Sequence, residues 1–343
     1  MRHLYTRLFL IAVFGLWLFL PSDWVHAQST QTPLALSLGT SSVGARFHIL
    51  AVGMGAVITR HSNLAITVEP IGGSDANVRT LATRRIEMAL LNSLAATHGF
   101  RGTGPFAKEG KVPLRLVFQG GLSARALVAR ADRGILTGAY LRGKAVQARR
   151  KALADLEVLF KAILKVHNIP ETAVKILSHS NTKQQVESLR LGTADAAVVP
   201  FGSPKTSSPP LRRLAGSVPL VVIGIPPSEA REILKTPFLS GYRRATIYKG
   251  ALKGLNQDVP GLAVGTYTVA RADLPEAVVY RFTKAFFEHL KEFYPVHASA
   301  RQYTLKGSLS SPTVPYHAGA VRYYKEIGRW TPELQQLQTD LLK

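Results

Sequence analysis

Three consecutive bases, Arg149, Arg150 and Lys151, stand where a short strand over 145–147 ends and a helical pattern over 151–166 begins. Cations at a helix N-terminus oppose the positive end of its dipole, by roughly 0.3–1 kcal/mol each. A bound anion removes that conflict, and arginine can grip a carboxylate through two parallel bonds. The cluster therefore reads as an anion site. The plainer alternative is a solvated basic turn, since three neighbouring side chains cannot all face one point. Groups for the other end of a ligand lie in strand-to-helix loops: Ser41 and Ser42 in the first, Gly73 and Ser74 in the second, Asn92 after the third strand. Such loops leave backbone N–H groups free to meet negative charge.

Other chemistries find little to work with. Ser180 and Lys183 fit an S-x-x-K pattern, with Lys205-Thr206-Ser207 roughly twenty residues further on. No S-x-N lies between them, so chance explains the match better than a serine acyl-enzyme does. The first loop has Val43 where a nucleophile elbow needs glycine. Ten histidines include no H-x-x-x-H pair, which argues against a zinc motif. Cysteine is absent, which excludes disulfides, thiolate ligands and a lipid-modified N-terminal Cys. No paired carboxylates stand out. The expectation is a binding protein with no metal and no cofactor, not an enzyme.

The elements that must hold these groups alternate strand with helix. Strand patterns over 34–38, 64–71, 88–91, 173–178, 196–200 and 219–225 are separated by helical ones over 45–61, 74–85, 151–166 and 182–191. Phe201 follows the strand at 196–200, at the edge where open α/β sheets take ligands. A five-residue string occurs twice, at 128–132 and 269–273, each time closing an apolar strand-like run. Two matching segments do not make a solenoid. They read as one chain leaving a first lobe and returning to it, with Val128, Arg130, Val269 and Arg271 at the hinge. The resulting division is 28–127 plus 270–343 for lobe 1 and 128–269 for lobe 2.

A chain of 343 residues, 46% hydrophobic with 20 prolines, can build two such lobes. Lys and Arg outnumber Asp and Glu by 43 to 21, a net charge of +22. No run of five bases exists, so the charge reads as a property of compartment or ligand, and no specific nucleic-acid partner is expected. Arg2 and Arg7, an apolar run over 8–20 and Val25-His26-Ala27 make a signal peptide cleaved after Ala27.

The chain resembles the solute receptors of TRAP transporters in the TAXI family (TRAP-associated extracytoplasmic immunogenic proteins). The likeness rests on Leu38-Gly39-Thr40 with Gly44 and Phe47, Gly72-Gly73-Ser74 with Asn77-Val78-Arg79, and Gly102 to Phe106. It continues through Val128 to Gly134, Leu141 to Lys144, Arg271 to Pro275 with Val279-Tyr280-Arg281, and Pro315-Tyr316-His317 with Gly319-Ala320 and Tyr323-Tyr324. The resemblance implies a type II periplasmic-binding-protein fold, two α/β lobes joined by two crossing strands with a ligand cleft between them. It adds Thr40 and Phe47 to the candidate contacts. It also implies a periplasmic monomer that hands a small anionic solute, a dicarboxylate, keto acid or acidic amino acid, to a TRAP-type permease. The chain departs from the family at 143–155, where bases replace the usual glycines and hydroxyls, and in the first loop at Ser41, Val43 and Arg46. A module feeding a membrane sensor kinase is the first alternative, a secreted serine acyl-enzyme the second.

Overall fold

Strand β1 (Leu34–Ser41) opens the fold in the computed structural model, which describes residues 32–239, 241–310 and 312–343. The expected signal peptide falls outside the described residues. Leu36 and Leu38 alternate into the core, and the strand runs on into the polar loop before α1 (Arg46–His61). Leu50, Met54, Val57 and Ile58 recur at helical spacing and bury that helix. The same order repeats: β2 (Leu64–Gly72), α2 (Ser74–Ala82), β3 (Met88–Asn92), α3 (Ser93–Arg101). Asn92 caps α3, its side chain accepting from Ala95 N at 2.7 Å. The helix expected over 74–85 stops three residues early, at a turn in which Arg84 takes φ 59°.

A long strand, β4 (Leu114–Arg130), leads into the second half: β5 (Ala145–Arg149), α4 (Asp155–Val166), β6 (Lys175–Ser178), α5 (Thr182–Leu191), β7 (Ala196–Ser203) and β8 (Thr206–Ser207). Next come α6 (Pro209–Ser217), β9 (Leu220–Ile223), α7 (Pro227–Leu234) and β10 (Arg243–Ile247). A second long strand, β11 (Val259–Arg271), returns, followed by α8 (Glu276–Glu288), α9 (Leu290–Phe293), α10 (Leu305–Ser308), α11 (Ala318–Glu326) and α12 (Pro332–Leu342). The C-terminal helix is fastened to the first half by Gln338, which accepts from Tyr316 N at 2.7 Å and donates to Tyr316 O at 2.9 Å.

The described strands form one sheet in the order β2-β1-β3-β11-β4-β7-β5-β6, with β8, β9 and β10 paired at its sides. Two wound halves share the antiparallel pair β4–β11. In one half β2, β1 and β3 are parallel; in the other β6, β5 and β7 are. Their cores are separate. The first takes residues 114–118 of β4 and 267–270 of β11, with a ring cluster around Phe118, Phe282, Phe286 and Tyr303. The second half, aliphatic apart from a few rings, takes 124–129 of β4 and 259–264 of β11.

This partition moves the crossing. Val128 lies wholly inside the second half and Val269 wholly inside the first. Arg130 and Arg271 merely brace the far ends of the long strands against Asp132 and Asp273. The chain passes between the cores near 119–123 and 265–266 instead. Gly120 and Gly121 lie there because a Cβ would strike Tyr303 and Gln302, at 2.4 and 1.7 Å. The lobe boundary therefore falls several residues before 128 and before 270.

Candidate functional site

The carboxyl edges of β1, β2 and β3 face those of β5 and β7 across a partly open space of about 50 Å³. Three arginines meet on its walls, each almost fully buried: Arg46 from the first residue of α1, Arg125 from β4 and Arg150 from the turn after β5. Arg125 is neutralised within the protein. Its Nε donates to Asp155 Oδ2 at 2.8 Å and its Nη1 to Ser123 Oγ at 2.9 Å, and the Tyr242 hydroxyl donates to the same carboxylate oxygen. Burial works against the Arg125 charge, but Asp155 and Tyr242 together outweigh it and raise the pKa.

Arg46 and Arg150 have no such partner; among the described residues neither forms an ion pair. The Arg46 guanidinium lies 4.7 Å from the Phe47 ring centre and reaches Thr266 Oγ1 only at 3.5 Å. Arg150 donates to Thr182 Oγ1 and Ser42 Oγ, both at 3.3 Å, and to the Gly72 carbonyl, while its Nε has no acceptor. Burial lowers both guanidinium pKa values to about 10. Unpaired cations taken out of water cost several kcal/mol each. His179 adds no counter-charge: burial, then Arg150, pushes its ring down to about 4, and neither ring nitrogen is bonded.

The two halves also touch directly. Asp75, in the first turn of α2, accepts from Ala154 N at 2.7 Å, and its own N–H donates to Ala152 O at 3.2 Å. Burial raises the Asp75 carboxyl to about 7, against the Ala154 N–H, which lowers it.

Of the expected contacts, Ser41, Phe47, Gly73, Ser74 and Arg150 line the space, and Ser42 holds Arg150 from its rim. Asn92 instead caps α3, its N–H donating to Ser74 Oγ at 3.0 Å. Thr40 sits behind the wall, its carbonyl accepting from Asn77 Nδ2. Phe201 points into the second half's core, leaving Pro200 and Gly202 at the surface of the space. Arg149 and Lys151 point to solvent, and Arg149 pairs with Glu157 at 3.1 Å. Strand alternation carried past the end of β5 sends only the middle base inward. The dipole conflict is also absent, because α4 starts at Asp155 and has two acids, Asp155 and Glu157, in its first turn. Arg46, Arg125, Ser123, Thr182 and Ser208 were not expected there. Arg46 carried a signal, as a base opening a helix behind a small-residue loop. The Ser180 hydroxyl donates to Gln184 Oε1 at 3.0 Å, not to Lys183.

Two wound halves on a shared strand pair, with carboxyl edges turned to one cavity, define a two-lobed periplasmic-binding-protein fold. The structure of PhnD1 from Prochlorococcus marinus in complex with methylphosphonate has this fold: TM-score 0.51, 10% identity, covering 87% of this chain and 99% of that one. The chain belongs to the NMT1-like family, whose profile matches residues 38–328. Two further similar structures are the periplasmic aliphatic sulphonate binding protein SsuA from Escherichia coli (TM-score 0.44, 15% identity, 90% of this chain and 84% of that one) and an ABC uptake transporter substrate binding protein from Streptococcus pneumoniae with bound histidine (0.46, 12%, 80% and 94%).

Proposed function

We propose that the chain is an exported, monomeric periplasmic receptor that captures a small organic anion and delivers it to a TRAP-type membrane permease, as TAXI receptors do. A dicarboxylate, a keto acid or an acidic amino acid is the ligand class. The observation that carries this reading is the pair Arg46 and Arg150. They come from opposite halves, line one space, and among the described residues lack a carboxylate partner. A bound anion supplies the missing charge to both halves at once and so favours their approach. The resemblance in Gly72-Gly73-Ser74 and Arg271 to Pro275 supports the TRAP assignment. The test is mass spectrometry of small molecules that co-purify with gently isolated protein, followed by calorimetry with the identified compound. An anion whose affinity falls tenfold or more in Arg46→Ala is expected. A neutral or cationic ligand, or an Arg46→Ala variant that binds like the parent, overturns the reading.

A further inference from the structure

At the end of α1 remote from the cavity, His61 meets His289, which follows α8, and Glu292 on α9. Fifteen residues separate Arg46 from His61, about 22 Å along a helix, so this cluster has no part in the site above. One ligand-type atom from each of the three residues lies within 4.8 Å of the others. The hub is Glu292 Oε1, which stands 2.8 Å from His61 Nε2 and 3.5 Å from His289 Nδ1. At 2.8 Å a hydrogen bond would be expected, yet His61 Nε2 has no aligned partner. The nitrogen and the oxygen are close without pointing at each other.

Atoms that share a metal have that relation. With bonds of 2.0–2.2 Å and angles near 90–110°, neighbouring ligands of Zn²⁺ lie roughly 3.0–3.5 Å apart. The outer oxygen, Oε2, is held by Arg60 Nη1 at 2.7 Å, which turns Oε1 toward the rings. The imidazoles stack at 3.4 Å, 4° from parallel, so one ring must turn before both nitrogens can meet one ion. Turning the His289 ring about its Cβ–Cγ bond directs Nδ1 to the point the other two face; that side chain is 35% exposed and has room to turn. The Glu292 N–H donates to His289 O at 3.0 Å and fixes the spacing of these two ligands.

We infer that His61, His289 and Glu292 form a binding site for a divalent transition-metal ion, Zn²⁺ in the first instance, with water completing the coordination. Such an ion fastens the C-terminus of α1 to the α8–α9 corner and acts as a staple within the first half. Histidine and carboxylate ligands suit Zn²⁺ and its neighbours over Ca²⁺ or Mg²⁺.

Purified protein treated with chelator, then titrated with Zn²⁺ by calorimetry in a non-coordinating buffer, tests the site. One ion per chain is expected, with a Kd of about 10 µM or below and a rise in melting temperature. His61→Ala and Glu292→Gln should each weaken binding tenfold or more, and Arg46→Ala should bind as the parent does. Should either variant melt early, His289→Gln serves in its place. Binding weaker than about 100 µM, or parent-like Zn²⁺ affinity in these variants, overturns the inference.

Discussion

On the wall formed by the first half, Arg46 reaches, among the described residues, Thr266 and the face of Phe47, whereas on the facing wall Arg150 bonds Thr182 of its own half and spans the cleft to Ser42 and Gly72. Both are buried and both lack a carboxylate, but one makes little contact with the opposite half and the other is a clasp between the halves. Arg125 is the reference for both, because it has Asp155. The difference separates charge neutralised within the protein from charge left without a partner.

The largest effect is expected where that separation is abolished. Asp155→Ala leaves Arg125 buried without its counter-charge and should cost ~3–5 kcal/mol of stability, read as a fall in the denaturant midpoint. A parent-like midpoint would show that Arg125 finds another partner.

Next, Arg46→Ala should lose about 1.5–3 kcal/mol of ligand binding by calorimetry, while the ligand-free protein melts no lower than the parent. Arg150→Ala should lose a comparable amount and, unlike Arg46→Ala, expand the ligand-free protein in X-ray scattering. Equal scattering from the two variants would break the comparison.

A smaller effect is tied to pH. Asp75 has a folded pKa raised to about 7 by burial, against about 3.9 in an unfolded chain. An acid raised in this way contributes stability that is fully present below about pH 4 and lost as pH rises through about 7. The parent should therefore lose melting temperature between pH 5 and 8, and Asp75→Asn should lose less. The charged neighbours that set this value are Asp155, Arg79 and Arg125.

The smallest effect belongs to Arg149→Ala and Lys151→Ala. Both side chains face solvent, and affinity should change less than about twofold, as for exposed charges in general. A tenfold loss in either would return the anion site to the whole basic cluster.

The alternation of strand and helix was legible because local signals agree with the fold. Leu36 and Leu38 alternate, Leu50 to Ile58 follow the helical period, and Gly192 ends α5 in the left-handed conformation. The crossing was sought at the repeated string of 128–132 and 269–273, whereas the strand passes between the cores at Gly120-Gly121, close to Tyr303 and Gln302. That contact joins residues about 180 apart, and no local pattern carries it. The inward turn of Arg150 was partly legible from the basic cluster. Arg46 carried only the signal of a base behind a small-residue loop and Asp75 none, since each lies in the first turn of a helix whose N-terminus local pattern leaves in solvent. Asp75 is covered by the other half, at Ala152 and Ala154.

Gly73 lies against that opposing half. Its backbone is extended, so any residue could adopt the conformation, yet a Cβ there would sit 2.1 Å from the Ala152 carbonyl oxygen. A single methyl group at position 73 is thus a wedge. Gly73→Ala should fold, bind its anion weakly with the jaws ajar, and keep the larger radius of gyration even when saturated. A membrane partner that discriminates by shape would meet a receptor that never reports itself full.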